Sequence, residues 1–314
     1  MDSFGPGDPL IDKVAWLYYM DDLTQQEIAE RLSLSRPKVG RLLKKARGLG
    51  VVQIQLSESA TVHVKLEREL EAHFGLSEAI VVDVTEDEAR GLHLIGQAAA
   101  HHLQRVLGDS FKLGLGMGRT IAEILPFIAP RQVTDGTIMG VAGGFSQPEL
   151  TTNPYDFSWR LADLLGARVE HLYVPLIVES PAAREALLQD RLIRRQLERA
   201  ATCDVVVVGI GPLREDGLLV KLGYCDAELV CGLREQGAVG DIMARFFDRQ
   251  GRPIPSELDK RVIGLDLEQL KRIPHVIAVA GGSGKAEAIL GALRTGCLDV
   301  LITDSSTAER VINP

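Results

Sequence analysis

This chain is short of several features, and each absence removes a class of function. Its four cysteines, Cys203, Cys225, Cys231 and Cys297, are too sparse for a disulfide framework and lack metal-ligand spacing. Free thiols in a reducing cytoplasm are expected, buried rather than catalytic. No run of roughly 18 apolar residues exists to span a bilayer, so no membrane partner is expected. The opening stretch, Met1 to Lys13, is acidic and rich in glycine and proline, unlike a secretory leader. Internal repeats and low-complexity tracts are also missing. Two nucleotide signatures are incomplete. The Gly281–Lys285 loop has Val279 where GxxxxGK[ST] needs its first glycine, and Ala286 where a hydroxyl would reach magnesium. The Gly114, Gly116, Gly118 spacing is not GxGxxG, and no acidic residue closes the next strand to hold a ribose. Neither an ATPase nor a dinucleotide enzyme is expected, and no cofactor.

What remains is a chain of 314 residues, 46% hydrophobic, with a net charge of −8, enough for about two domains. The acids avoid one segment. From Arg31 to Leu56 there are seven basic residues and no acidic one. Thr24 reads as the N-cap of a short helix with Ile28, Ala29 and Leu32 on one face. A turn follows at Leu32–Leu34, then Ser35 caps a second helix with Pro37 in its first turn. Val39, Leu42, Leu43 and Ala46 form an apolar stripe, leaving Arg36, Lys38, Arg41, Lys44, Lys45 and Arg47 on or near the opposite face. Gly48–Gly50 ends that helix, and Val51–Leu56 alternates like a short strand, a wing. With a preceding helix over about Pro9–Asp22, the segment has a helix-turn-helix layout.

A two-helix hairpin with a solvated basic face is the bland alternative. The turn chemistry and the one-sided charge favour double-stranded DNA instead. Ser35, Arg36, Lys38 and Arg41 are placed to enter the major groove, with Arg36 and Arg41 as guanine readers. Thr24, Gln25, Lys44 and Lys45 suit phosphates. Acids elsewhere, including Glu67, Glu69, Glu71, Glu86, Asp87 and Glu88, keep the remaining body off the DNA backbone.

The domains expected are residues 1–56, carrying the helix-turn-helix, and residues 57–314, beginning with a linker helix over 57–75. Past Gly75 the pattern changes. Apolar runs at Ala79–Val84, Phe111–Leu115, Thr137–Ala142, Val169–Val174, Asp204–Ile210, Val276–Ala280 and Val300–Thr303 alternate with amphipathic helices. Those helices fall near Glu88–Leu107, from Thr120, at Tyr155–Leu165, Pro181–Ala201 and Lys285–Arg294, and after Thr303. This order predicts an α/β domain with a parallel sheet covered on both faces.

In such sheets, ligands bind where strand ends lead into helix starts. Four of these loops are glycine-rich: Gly116–Thr120, Gly143–Gln147, Gly211–Leu213 and Gly281–Lys285. Glycine admits backbone N–H groups close to an anion, although each loop alone is explained as well by turn geometry. Lys285, glycine-flanked at a helix start, suits a phosphate. Asp241 is either a turn residue or an acceptor for sugar hydroxyls. No histidine falls in these loops, and neither Asp241 nor Lys285 has a sequence neighbour that would make a nucleophile–base pair. A sugar-phosphate isomerase or deaminase with a DNA-tethering head is the alternative reading.

The segments LTQQEIAERLSLSRPKVGRLLKKAR, GLGMGRT, VVVVGIGPL, GDIMARFFDRQG and VIAVAGGSGKAEAILGALRTGCLDVLITD occur in this order across nearly the whole chain. They resemble the SorC family of bacterial transcription regulators. The resemblance implies a helix-turn-helix joined to a non-catalytic effector domain with the fold of sugar-phosphate isomerases. It further implies a homotetramer or dimer of dimers whose grip on operator DNA changes with a phosphorylated sugar or related polyol. By it, Gly116, Gly118, Arg119, Thr120, Gly143, Gly144, Gly282, Ser283, Gly284 and Lys285 would surround the effector, with Asp241 holding sugar and Lys285 phosphate. Some members carry a lysine before the Gly143–Gly144 position that bonds the effector covalently. Ala142 stands there in this chain, which implies noncovalent binding.

Overall fold

The computed structural model describes residues 8–52, 58–83, 87–145 and 154–314. They form two compact units, one ending at Glu58 and one spanning Ser59–Pro314.

The first unit holds α1 (Pro9–Tyr19), α2 (Gln25–Arg31) and α3 (Arg36–Gly48). Asp8 caps α1 by accepting the Leu10 N–H at 2.9 Å, and Pro9 occupies the position where a missing N–H is harmless. The helix stops before Asp22, whose φ of 51° is left-handed. Thr24 caps α2 reciprocally. Its Oγ1 accepts the Glu27 N–H at 3.3 Å, and Glu27 Oε2 accepts the Thr24 N–H at 2.8 Å. The turn to α3 is built on Ser33, also left-handed with φ 53°. Around it Leu34 N–H reaches Ala29 O at 2.8 Å and Ser33 N–H reaches Glu30 O at 3.3 Å, the paired closure that satisfies a helix's last carbonyls. Ser35 stands at the cap position of α3 without a capping bond from its side chain. The three helices share a core of Ile11, Val14, Leu17, Ile28, Val39, Leu42, Leu43 and Ala46. The expected wing falls mostly on Gln53–Leu56, outside the described residues; Val51 and Val52 form a bend.

The second unit opens within α4 (Glu58–Phe74), from Ser59 onward. It is organised by strands β1 (Glu78–Val82), β2 (Ser110–Leu115), β3 (Asp135–Gly140), β4 (Arg168–Glu170), β5 (Val205–Gly209), β6 (Gly211–Pro212), β7 (Ala238–Ile242), β8 (Arg245–Asp248), β9 (Val276–Val279) and β10 (Val300–Asp304). Seven make one sheet in the order β1-β10-β9-β5-β2-β3-β4, and every pairing in it is parallel. Both faces are buried, as the apolar runs predicted. Val206 and Val208 pack into one core while Val205 and Val207 pack into the other, and Ala278 and Ile277 divide the same way. Helix α5 (Glu88–Val106), capped by Asp87, covers the second core with Ile95, Ala99 and Leu103.

Several expected elements are shorter or divided. The helix after β2 is one turn, Arg119–Ala122. The helix expected over Pro181–Ala201 is two, because Asp190 is extended and caps the second by accepting the Leu192 and Ile193 N–H groups. The apolar Val169–Val174 pairs only as far as Glu170, and past it the chain turns to bridge Gly144 through Pro175. The sheet of β6, β7 and β8 was not foreseen. It is antiparallel and places Asp241 within a strand.

Candidate functional site

In the first unit, α3 divides its surface cleanly. At 100° per residue its buried Val39, Leu42, Leu43 and Ala46 occupy an arc of about 100°, and the six basic side chains spread over the remainder. Arg36, Arg41, Lys44 and Arg47 are exposed, and Lys38 and Lys45 are half-buried. Thr24 and Ser35 are exposed at the starts of α2 and α3, and Gln25 is half-buried. The Thr24 hydroxyl is committed to Glu27, whereas Ser35 makes no capping bond. All eight expected DNA contacts thus lie on or beside one basic face built by these two helices.

In the second unit, a cavity of about 660 Å³ opens at the carboxyl ends of the parallel strands. Its place follows from topology. From β2 the sheet grows through β3 and β4 to one side, and from β5 through β9 and β10 to the other. The crevice where the order reverses is where open α/β sheets bind ligands. Met117 to Thr120 after β2, Gly209 to Leu213 after β5, Gly281 to Lys285 after β9 and Asp304 at the end of β10 line it, with Glu88 and Ile95 from α5.

Lys285 closes a single turn, Ser283–Lys285, before the helix Ala286–Arg294. The first amides of such a turn, those of Ser283 and Gly284, have no acceptor within it. The loop is anchored from below. Asp304 Oδ2 accepts the Gly282 N–H at 2.7 Å and the Thr307 hydroxyl at 2.7 Å, while its Oδ1 accepts from Ser306 and the Thr307 backbone. Burial pushes the Asp304 carboxyl up, but these donors outweigh it and hold it below the usual carboxylate range. Burial, aided by Arg119, lowers the Lys285 ammonium from its ordinary value, against the pull of Glu88 and Asp241. Arg119 itself is more than half exposed and tied to Glu88 at 2.9 Å.

Asp241 lies on β7 next to a turn that is expensive on its face. Met243 and Ala244 both have left-handed φ, 51° and 62°, values that side-chain-bearing residues rarely adopt. Asp241 Oδ2 accepts the Ala244 N–H at 2.8 Å and supports that turn. Its Oδ1 lies over Gly211, where a Cβ would come within 2.2 Å of it. Glycine at 211 therefore makes room for the carboxylate. Burial pushes the Asp241 carboxyl up to about 6, against the Ala244 N–H and the charge on Lys285. Asp241 and Lys285 line the same cavity yet, among the described residues, make no ion pair with each other.

The structure thus brings Gly118, Arg119, Thr120, Asp241, Gly282, Ser283, Gly284 and Lys285 together around one cavity. It separates three expected residues from it. Gly116 donates its N–H to Val207 O at 2.9 Å and fills the seam between β2 and β5. Gly143 and Gly144 follow β3, one strand further from the reversal, and are turned against Ile263 O and Val174 O, each at 2.9 Å. Neither lines the cavity, and neither does Ala142, which bridges Gly264. Ser146 and Gln147 of the same loop lie outside the described residues. Sequence reasoning missed Glu88, Arg214 and Asp304. Asp304 was findable, because an acidic residue between an apolar strand and Ser305-Ser306-Thr307 is a helix-cap signal. No histidine lines the cavity among the described residues.

Comparison with known proteins gives the family. The model described as "Putative sugar-binding domain" matches residues 59–313. The chain is 33% identical to the deoxyribonucleoside regulator of Bacillus subtilis, over 96% of each chain. It is 33% identical to the transcriptional regulator LsrR of Klebsiella pneumoniae, over 97% of this chain and 93% of that one. The full-length sorbitol operon regulator SorC from Klebsiella pneumoniae superposes with a TM-score of 0.76 at 27% identity, covering 98% of this chain and 99% of the other. These relatives are transcription regulators by name, and the family model and the shared fold agree with them: the chain belongs to the SorC-type family of sugar-binding transcription regulators.

Proposed function

We propose that the chain binds operator DNA through α3 and is switched by a phosphorylated sugar or polyol held noncovalently in the second unit. The observation that carries this reading is the pair Asp241 and Lys285. Both groups are partly desolvated, both line one cavity, and, among the described residues, they make no ion pair with each other. A ligand with an anionic group and several hydroxyls supplies what each lacks. Lys285, Arg119 and the amides of Ser283 and Gly284 take the phosphate. Asp241 Oδ1 accepts from hydroxyls, and the apolar wall of Ile95 and Met117 excludes water from the carbon chain. Glu88 competes for Arg119, so the phosphate frees that carboxylate on binding.

For the head, Arg36 and Arg41 read bases while Lys44, Lys45, Thr24 and Gln25 hold phosphates. Two half-sites need two heads, which favours a homo-oligomer of even order, a dimer or a dimer of dimers. Sedimentation velocity on the full chain, with and without DNA, tests that.

The central test is a thermal-shift screen of the full chain against ribose 5-phosphate, fructose 6-phosphate and sorbitol 6-phosphate, beside the same sugars without phosphate. A phosphorylated compound should raise the melting temperature by mass action, and its unphosphorylated partner should not. Equal shifts from both would discard the phosphate assignment.

A further inference from the structure

We infer that Glu67 and Glu71 are positioning residues that carry the state of the effector cavity to α4, and through it to the head. This rests on the switch proposed above. Strand β1 is the edge of the seven-stranded sheet and pairs only with β10. Its outward N–H groups would ordinarily face solvent or invite another strand. Here α4 meets them. Val81 N–H donates to Glu67 Oε1 at 3.0 Å and Ala79 N–H to Glu71 Oε1 at 3.0 Å. One turn earlier His63 Nε2 lies 3.2 Å from Asp83 Oδ1.

The contacts form a regular ladder because two repeats match. Four helical residues advance about 6.0 Å and two strand residues about 6.6 Å. Residues 63, 67 and 71 therefore meet 83, 81 and 79 in turn, with α4 antiparallel to β1. Beneath the ladder, Leu66 and Leu70 are buried in the same core as Ala79 and Val81. The helix is thus held by side chains acting as a further strand, in one register only.

The inner side of β1 leads to the cavity. Val82 is in register with Asp304, the residue whose carboxylate anchors Gly282 and so the Ser283–Lys285 turn. From the phosphate loop to α4 there is an unbroken series: Gly282, Asp304, Val82, Val81, Glu67. The helix's other end is where the chain passes to the first unit, at Glu58 and Ser59. An effector that shifts the loop after β9 shifts Asp304, and the ladder converts that shift into a displacement of α4 along or about its axis.

A purely structural ladder would use the same contacts, so the deciding readout is coupling and not stability. The full chain is given a DNA fragment that it has itself selected from a random-sequence pool. Its DNA affinity is measured with and without ribose 5-phosphate, fructose 6-phosphate and sorbitol 6-phosphate. The double variant Glu67→Ala, Glu71→Ala should bind DNA and phosphosugar close to wild type. Its effector-driven change in DNA affinity, normally on the order of 5–150-fold, should collapse toward none. The variant Glu67→Gln, Glu71→Gln keeps an acceptor oxygen and loses only charge, so its response should survive. Undiminished coupling in the alanine pair, or equal loss in the glutamine pair, overturns the inference and leaves the proposed function standing. Should the alanine pair not fold, amide exchange in wild type decides: added phosphosugar must change protection at Ala79 and Val81, and unchanged protection overturns the ladder's role. A wild-type chain whose DNA affinity ignores every phosphosugar removes the proposed switch, and the inference with it.

Discussion

The two units handle charge in opposite ways. On α3, cations stand on the convex side of a helix whose fold is secured by Val39, Leu42 and Leu43 below and by the Thr24–Glu27 cap on its neighbour. Among the described residues, the core beneath α3 includes none of the exposed arginines. In the second unit the charges line a cavity. Asp241 and Lys285 are half-buried among the strand ends around the cavity, and burial is the largest influence on both. A surface function is nearly separable from stability, whereas a cavity function is built against it.

That contrast can be broken or sharpened at four places. The largest effect is expected at Lys285. Replacing it with alanine should weaken phosphosugar binding by about 100-fold or more and erase the thermal shift; a persisting shift would show that the charge in the cavity is not used. Asp241→Asn comes next. The native carboxyl, raised from 3.8 to about 6, contributes stability that is present below pH about 4 and lost as pH rises through about 6. The asparagine variant escapes that loss. It should match wild type near pH 4 and gain on the order of 2–3 kcal/mol above pH 7, read by chemical denaturation, while losing sugar affinity. No gain at neutral pH would mean that the carboxylate is better solvated than its position implies. On the convex face, Arg41→Ala should cost about 1–3 kcal/mol on the selected DNA with far less on random sequence. Its melting temperature should stay put, and a clear drop would dissolve the separation of function from stability. The smallest effect compares two caps. Thr24→Ala should lower stability by about 1 kcal/mol, but Ser35→Ala by only a few tenths, since the Ser35 hydroxyl makes no capping bond. A loss of DNA affinity in Ser35→Ala without loss of stability would assign that hydroxyl to the nucleic acid.

Legibility in the sequence followed the same division. The head's elements were readable because each is local: Thr24 precedes the first turn of α2 as a cap, and α3 displays its two faces in period. The parallel sheet was readable for a related reason, since strands buried on both sides are continuous apolar runs. The cavity was readable mainly where its residues sit at strand ends, as Arg119 and Lys285 do, with Asp241 the exception. Gly143 and Gly144 carried the same local signal and lie elsewhere, because strand order, which decides whose loop reaches the reversal point, is not written in any one loop. The β6–β8 sheet escaped because it rests on Met243 and Ala244 in left-handed conformations, against their own preference. Asp241 stands out in the sequence as a turn residue or hydroxyl acceptor, but its bond to the Ala244 N–H becomes visible only with the turn.

The ladder between α4 and β1 has one more consequence, for assembly. A seven-stranded sheet has two open ends at which chains could add strand to strand. One end is β1, whose outward N–H groups at Ala79 and Val81 are already taken by Glu71 and Glu67. The other is β4, only three residues long. The first end has its donors occupied and the second offers only a short template. For any assembly of copies of this chain, this arrangement favours contacts through helix surfaces and loops over extension of the sheet from one molecule into the next.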